Sequence, residues 1–207
     1  MNFNIRKIMS GPLAANSYLV WNNDTKEGFI IDPGAYNATM KNLIEEENIN
    51  LKYIILTHGH CDHIGGVLDI KKIYGSEIIA SEAEIPMLSD VNYNMSREML
   101  GVAVEFVPDI IIDGDKTLQL CSADVEFIMT PGHTEGGMSI LLGDVLFSGD
   151  TLFRESIGRT DFRGGDFDVL MSSIKEKLFA LHDDTKVCPG HMGSTTIGHE
   201  KEYNPFV

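Results

Sequence analysis

Apolar residues along this chain come in short runs that stop repeatedly at Gly, Pro, Asn or Asp, a pattern that predicts strands. Asn4–Met9, Ser17–Trp21 and Gly28–Ile31 read as a β-meander, broken at Gly11-Pro12 and Asn22-Asn23-Asp24, with Asp32-Pro33-Gly34 closing the third strand. Met40, Leu43 and Ile44 then recur at helical spacing within Ala38–Asn48. Tyr53–Leu56 is a buried strand, Ile64–Tyr74 a helix turning Val67, Leu68 and Ile70 inward, and Glu77–Ala80 the next strand. From Ser81 to Asp109 the pattern is least regular. Its reading is a helical excursion over the core or, through Met87, Met95 and Met99, an adaptable wall of a cleft. Strands resume at Thr117–Leu120, Val125–Met129, Met138–Leu142 and Val145–Ser148, the last two joined by a Gly143-Asp144 hairpin. An amphipathic helix over Phe167–Leu181 and a short strand at Lys186–Cys188 complete a two-half α/β alternation. Without a linker, a repeat or a low-complexity segment, residues 1–207 are expected to form one domain.

Charge narrows the partners. With 31 acidic against 16 basic residues the net charge is −15 and no basic run interrupts it, so nucleic acid is not expected. No apolar run reaches the ~20 residues of a membrane span, and no leader-like segment opens the chain. Cys61, Cys121 and Cys188 show no paired spacing, which suits a reducing, cytoplasmic setting.

The candidate chemistry sits where strands end. Thr57-His58-Gly59-His60-Cys61-Asp62-His63 follows Tyr53–Leu56 directly. His133 in Thr-Pro-Gly-His-Thr, Asp150 in Phe-Ser-Gly-Asp-Thr and His191 in Cys-Pro-Gly-His each close a later apolar stretch. His58 and His60, two apart in extended chain, point to one side. Asp62 and His63 face a second point as the chain turns into a helix. Neutral imidazoles of His58, His60 and His133 suit a first site of the kind that keeps a position open for water. Asp62, His63 and His191 suit a second, with the carboxylate of Asp150 able to reach both. A hydroxide bridging two cations is a nucleophile at neutral pH, because bound water has its pKa lowered to about 7. No G-x-S-x-G motif competes with it. Zinc is the default for such N/O ligands, with iron or manganese as alternatives. His182 and His199 lack comparable context and read as surface residues, and Cys121 and Cys188 as small buried apolar groups. Asp32 reads either as a group orienting a ligand imidazole or as a turn carboxylate.

These residues at these separations resemble the metallo-β-lactamase superfamily. That resemblance implies an α/β, four-layer αβ/βα sandwich of two mixed β-sheets flanked by helices, with the metal site at one rim. It carries the family's ligand roles onto His58, His60, Asp62, His63, His133, Asp150 and His191. Residues 57–66, 130–134, 148–153, 156–162 and the closing Asn-Pro-Phe (204–206) are similar to the glyoxalase II-like, or hydroxyacylglutathione hydrolase-like, branch. Glyoxalase II proper adds a C-terminal helical region that grips glutathione. Here 16 residues follow His191, so the expectation is the short, single-domain branch. Arg159 reads as a cation facing substrate or as a lock on the loop through Asp161 or Asp166.

The function expected from the resemblance is a di-metal hydrolase acting on a small acyl thioester, whose thiolate leaves without strong protonation. One alternative is a mononuclear-iron persulfide dioxygenase, using only His58, His133 and Asp150. Another is a non-catalytic metal-binding scaffold. Acyl group, thiol carrier and oligomeric state stay open.

Overall fold

The computed structural model describes residues 2–207. In chain order the elements are β1 (Phe3–Ser10), β2 (Ala15–Asn22), β3 (Glu27–Ile31), α1 (Ala38–Glu46), β4 (Asn50–Ile55), α2 (Cys61–Ile64), α3 (Val67–Tyr74) and β5 (Glu77–Ser81). A 3₁₀ turn (Glu82–Glu84) leads to α4 (Ile85–Leu88), α5 (Ser96–Met99) and β6 (Ile110–Ile112). The second half holds β7 (Lys116–Leu120), β8 (Ala123–Met129), β9 (Met138–Leu142), β10 (Val145–Gly149), β11 (Leu152–Phe153) and β12 (Ser156–Ile157). Then come α6 (Phe167–Ser172), β13 (Lys186–Pro189), β14 (Thr195–Thr196) and α7 (Ile197–Tyr203).

One sheet runs β1-β2-β3-β4-β5-β6 and the other β14-β13-β10-β9-β8-β7. Both are mixed: β1 to β3 are antiparallel and β3 to β6 parallel, while β10 pairs in parallel with β13 and antiparallel with β9. The layering follows from side-chain alternation. Tyr18, Val20, Phe29, Ile31 and Ile55 of the first sheet meet Val125, Phe127, Ile140 and Phe147 of the second in a shared core. Leu19, Trp21, Ile30 and Ile54 face the other way, onto Met40 and Ile44 of α1 and Val67 and Ile70 of α3. Leu141, Leu146 and Val187 pack outward against Leu170, Ile174, Leu178 and Ile197. The result is a helix–sheet–sheet–helix sandwich, so the architecture read from the resemblance holds. β2 is buried along its whole length because both its faces are covered.

Several boundaries differ from the sequence reading, each for a local reason. The single helix expected over Ile64–Tyr74 is two, α2 and α3, parted at Gly65-Gly66. There the loop at 33–36 passes so close that a Cβ on Gly65 would lie 2.3 Å from Gly34 O, and one on Gly66 2.6 Å from Tyr36 N. The helix expected over Phe167–Leu181 starts at Phe167, capped by the Asp166 carboxylate accepting from Val169 N–H. It then widens into a π-helical turn (Ser173–Lys177) and tightens into a 3₁₀ turn (Leu178–Ala180), still burying Leu170, Ile174 and Leu178. β6, β11, β12, β14 and α7 were not anticipated. They are short, or lack an apolar repeat of their own.

The between-sheet core predicts its own stability test. Phe147 is 1% exposed and packs on Tyr18 of the facing sheet, ring centroids 5.1 Å apart. Phe147→Ala is expected to cost about 3–5 kcal/mol, seen as a lower denaturant midpoint at unchanged slope. A loss under about 1 kcal/mol would mean that the sheets are not held together here.

Candidate metal centre

All four ligand segments leave the same edge of the sandwich. β4 runs through Leu56 into Thr57-His58-Gly59-His60 and the first turn of α2, which presents Asp62 and His63. From the second sheet, β8 ends before Thr130-Pro131-Gly132-His133, β10 before Asp150, and β13 before Gly190-His191. Backbone bonds join these ends across the sandwich: Met138 N–H donates to Thr57 O at 2.9 Å, and Asn16 N–H to Gly190 O at 2.7 Å. Tyr18 Oη and Asn16 Nδ2 both donate to Pro189 O, fixing the turn that carries His191.

Six of the seven predicted ligands fall into two groups, in each of which one donor atom per residue lies within 4.8 Å of the others: His58, His60 and His133, and Asp62, His63 and His191. Asp150 stands between them. Its Oδ2 is 3.7 Å from His133 Nε2 and 3.6 Å from His191 Nε2, and its Oδ1 is 3.5 Å from His63 Nε2. His191 Nε2 also lies 3.2 Å from Asp62 Oδ2. Gly190 makes this approach possible, since a Cβ there would sit 2.2 Å from Asp150 Oδ1.

The donor set fits cations. His58 Nε2, His63 Nε2 and Asp150 Oδ1 are buried and have no hydrogen-bond partner among the described residues. Leaving such atoms unpaired is costly, whereas aiming lone pairs at a cation satisfies them. Burial, and then the neighbouring imidazoles, push His58 far below its ordinary pKa and His60 down to about 3, so both are neutral at pH 7. His133 is lowered as well, chiefly by burial. In the second group burial opposes the charge of His63, but Asp150, Asp62 and Asp32 outweigh it and push its pKa up to about 10. His191 is raised by its hydrogen bond to Asp62. For Asp62 burial works upward, yet His63 and His191 hold its carboxyl well below the usual range.

A second ring of contacts orients the imidazoles. Asp32 Oδ2 lies 2.9 Å from His63 Nδ1 and also accepts the Thr57 hydroxyl, while its Oδ1 accepts Thr57 N–H. Asp32 thus touches both a predicted ligand imidazole and the turn at Thr57. The carbonyl of Arg159 accepts from His133 Nδ1 at 2.7 Å. The Arg159 guanidinium makes a two-bond pair with Asp161, both at 2.7 Å, and lies over the Phe162 ring while lining the cleft. Of the nearby hydroxyls Thr57 joins this ring, whereas Ser148 bonds Leu152 O and Thr151 bonds Thr130. Cys61 is buried beside the cleft, its thiol pushed up to about 11 by burial. His182 and His199 lie apart, the latter paired with Glu155.

Sequence reasoning missed Asn16, Tyr18 and the buried carboxylate of Glu84, which touches both ligand loops. An acidic residue at 84, beside apolar Ile85, Met87 and Leu88, was the available signal. Over the centre opens a cleft of about 500 Å³, walled by Leu13, Met95, Met99, Phe153, Phe162 and Met192 around the ligands. Met95 and Met99 thus belong to the wall, whereas Met87 is buried. Among the described residues no helix is long and apolar enough to cross a membrane.

Comparison with known proteins identifies the family and the fold. Residues 10–191 match the sequence profile of the metallo-beta-lactamase superfamily. The chain is 38% identical to hydroxyacylglutathione hydrolase GloC of Haemophilus influenzae, over 99% of this chain and 98% of that protein. The crystal structure of BLEG-1 B3 metallo-beta-lactamase superposes with a TM-score of 0.92 at 36% identity, covering 98% of this chain and 99% of that one. TTHA1623, solved in a di-iron-bound form, superposes at 0.83 with 29% identity, covering 98% and 100%.

The raised pKa values of His63 and His191 set a sign for metal uptake. His63 holds a proton at neutral pH in the metal-free protein, and a cation must displace it; the upward shift of His191 acts in the same direction. Apparent affinity is therefore expected to rise with pH, about tenfold per unit for the proton released from His63, from pH 7 toward 10. Calorimetry of zinc uptake in buffers of different ionisation enthalpy measures the release. Uptake without proton release would contradict the charge assignment.

Proposed function

This chain belongs to the metallo-β-lactamase superfamily, and from that premise we propose that it hydrolyses small acyl thioesters of the hydroxyacylglutathione type with two divalent cations. His58, His60 and His133 would hold one, Asp62, His63 and His191 the other, and Asp150 stands within reach of both groups. The observation that carries this reading is Asp150 itself, with one oxygen near the imidazoles of both groups and the other buried without a partner. When bound, such cations polarise an acyl carbonyl and bring the pKa of water to about 7. Zinc suits the imidazole-rich set, and iron or manganese would take the same atoms.

The chain supplies the rest. Asp32 and the Arg159 carbonyl hold His63 and His133 in fixed orientation, so that no reorganisation is needed when charge develops. Leu13, Met95, Met99 and Phe162 form an apolar wall that excludes water from the acyl group. Cys61 is protonated at neutral pH and so a poor nucleophile, which leaves the attack to water. A thiolate, with a free pKa near 8.5, departs without a general acid. An amide or β-lactam nitrogen needs that proton.

The names of the relatives divide along this line, between a hydroxyacylglutathione hydrolase and a B3 metallo-beta-lactamase. Purified protein should therefore be assayed with S-lactoylglutathione, a β-lactam and a glutathione persulfide side by side, alongside metal analysis. The expected outcome is rapid loss of the thioester with two metal ions per chain. One iron per chain with oxygen uptake on the persulfide would replace this reading by the dioxygenase. Metal without turnover of any substrate would leave the scaffold. His58→Ala and Asp150→Ala are each expected to lower thioester kcat/KM by at least about 100-fold in folded protein. Arg159→Ala tests the rim: a several-fold rise in KM at steady kcat means that the guanidinium meets substrate, and unchanged kinetics mean that it only locks the loop through Asp161.

A further inference from the structure

One buried carboxylate has no part in the chemistry above. Glu84 closes the 3₁₀ turn after β5 and is 2% exposed. Its Oε2 accepts Gly59 N–H at 2.9 Å. Its Oε1 accepts Gly136 N–H at 3.0 Å together with the Thr134 hydroxyl. Gly59 separates His58 from His60, and Thr134 and Gly136 follow His133. A single side chain therefore grips both loops that deliver the three-imidazole group, one loop from each sheet.

At Gly136 the fit of the backbone around Glu84 repeats the point independently. A Cβ on Gly136 would lie 2.5 Å from Glu84 N and 2.7 Å from Ala83 C. A Cβ on Gly59 would lie 2.9 Å from Glu84 Oε2 and 3.1 Å from Met87 Cγ. The Gly136 loop is thus pressed onto the backbone of this turn at a distance that only glycine permits, while at Gly59 the neighbours are side-chain ends, the Glu84 carboxylate among them. On the other side of His58 they are joined again by Met138 N–H to Thr57 O. Burying a carboxylate is unfavourable, and three donors converging on this one offset only part of that, since burial still pushes its pKa up to about 7.

We propose that Glu84 is the positioning residue that fixes His58 and His60 against His133, and so sets the affinity of that site for its ion. It leaves the Asp62–His63–His191 site alone, because none of its bonds reaches that group. This rests on the two-cation reading above. The physical cause is donor count. Glutamine at 84 keeps the shape but turns one oxygen into an N–H₂ donor. Thr134 can rotate its hydroxyl to accept from it, but the two backbone N–H groups cannot reverse. One ligand loop then loses its anchor or keeps an unpaired N–H.

The experiment is a zinc titration of metal-free protein against a chromophoric chelator, for wild type, Glu84→Gln, Thr134→Val and the double variant. Wild type should take two ions. Glu84→Gln should weaken one of them by about 10–100-fold and leave the other within about twofold. Thr134→Val should weaken the same ion by less, and the double variant should be no worse than Glu84→Gln, since both changes act through one carboxylate. The proposal falls if folded Glu84→Gln binds both ions as wild type does, or weakens both equally with a lower Tm, as a mere packing role would. Should Glu84→Gln fail to fold, Thr134→Val decides alone, and unchanged affinity overturns the proposal. Wild type that takes up no zinc removes the two-cation reading and this inference with it; normal wild type beside unchanged variants removes only this inference.

Discussion

Everything at the rim of this molecule depends on two sheets stacking face to face. His58, His60, Asp62 and His63 leave the first sheet and its following helix, and His133, Asp150 and His191 leave the second. The His58–His60–His133 and Asp62–His63–His191 groups each draw members from both halves, whereas Asp32, His58 and His63 cluster within the first. The sheets are held by an apolar core whose residues alternate inward from both sides, Tyr18, Phe29 and Ile55 against Phe127, Ile140 and Phe147. That contact is non-directional and would tolerate some sliding. Registration comes from the polar links at the edge: Tyr18 and Asn16 to Pro189, Asn16 to Gly190, and Met138 to Thr57. Hydrophobic burial thus brings the halves together, and directional bonds set where they stop.

Seven polar side chains gathered at one rim would ordinarily oppose folding. Within the protein that cost is reduced unequally. In the second group carboxylates face imidazoles, and Asp62, Asp150 and Asp32 stabilise a charged His63. In the first group three imidazoles stay neutral, with fewer compensating partners. Among the described residues His58 Nε2 and His63 Nε2 both lack a hydrogen-bond partner. Each group is held from outside, the first by the Arg159 carbonyl on His133 and the Glu84 carboxylate on the loops, the second by Asp32 on His63 and by Tyr18 and Asn16 on the turn before His191.

What was legible in the sequence follows the range of the forces involved. Each ligand motif is local: an apolar strand, a Gly turn, then a histidine or aspartate. A reader of Tyr53–Leu56 followed by Thr57-His58-Gly59-His60 sees strand, turn and ligands within one window. The two-sheet architecture was legible too, largely through the resemblance those motifs carry. Contacts between distant segments were not. Glu84 lies 25 residues from Gly59 and 52 from Gly136. Tyr18 lies 171 residues from Pro189. Nothing in their own neighbourhoods announces the partner. The same holds for the break at Gly65-Gly66, which answers to the passing backbone of residues 33–36. β6 and β14 have three and two residues, too few for a period to appear.

Division of labour between strands and loops also explains how relatives of one fold can carry different substrate names. The ligands sit at strand ends, where the core fixes them. The cleft walls come from elsewhere: Leu13 from the β1–β2 turn, Met95 and Met99 from around α5, Phe162 and Arg159 from the segment before α6, and Met192 from beyond β13. Leu13, Met99 and Met192 are substantially exposed, so changing them disturbs little of the core. Fold similarity therefore transfers the ability to hold cations far better than it transfers a substrate. In this chain the wall is rich in methionine and its nearest cation, Arg159, is already paired with Asp161. A substrate held there gains more from its apolar part than from its charge.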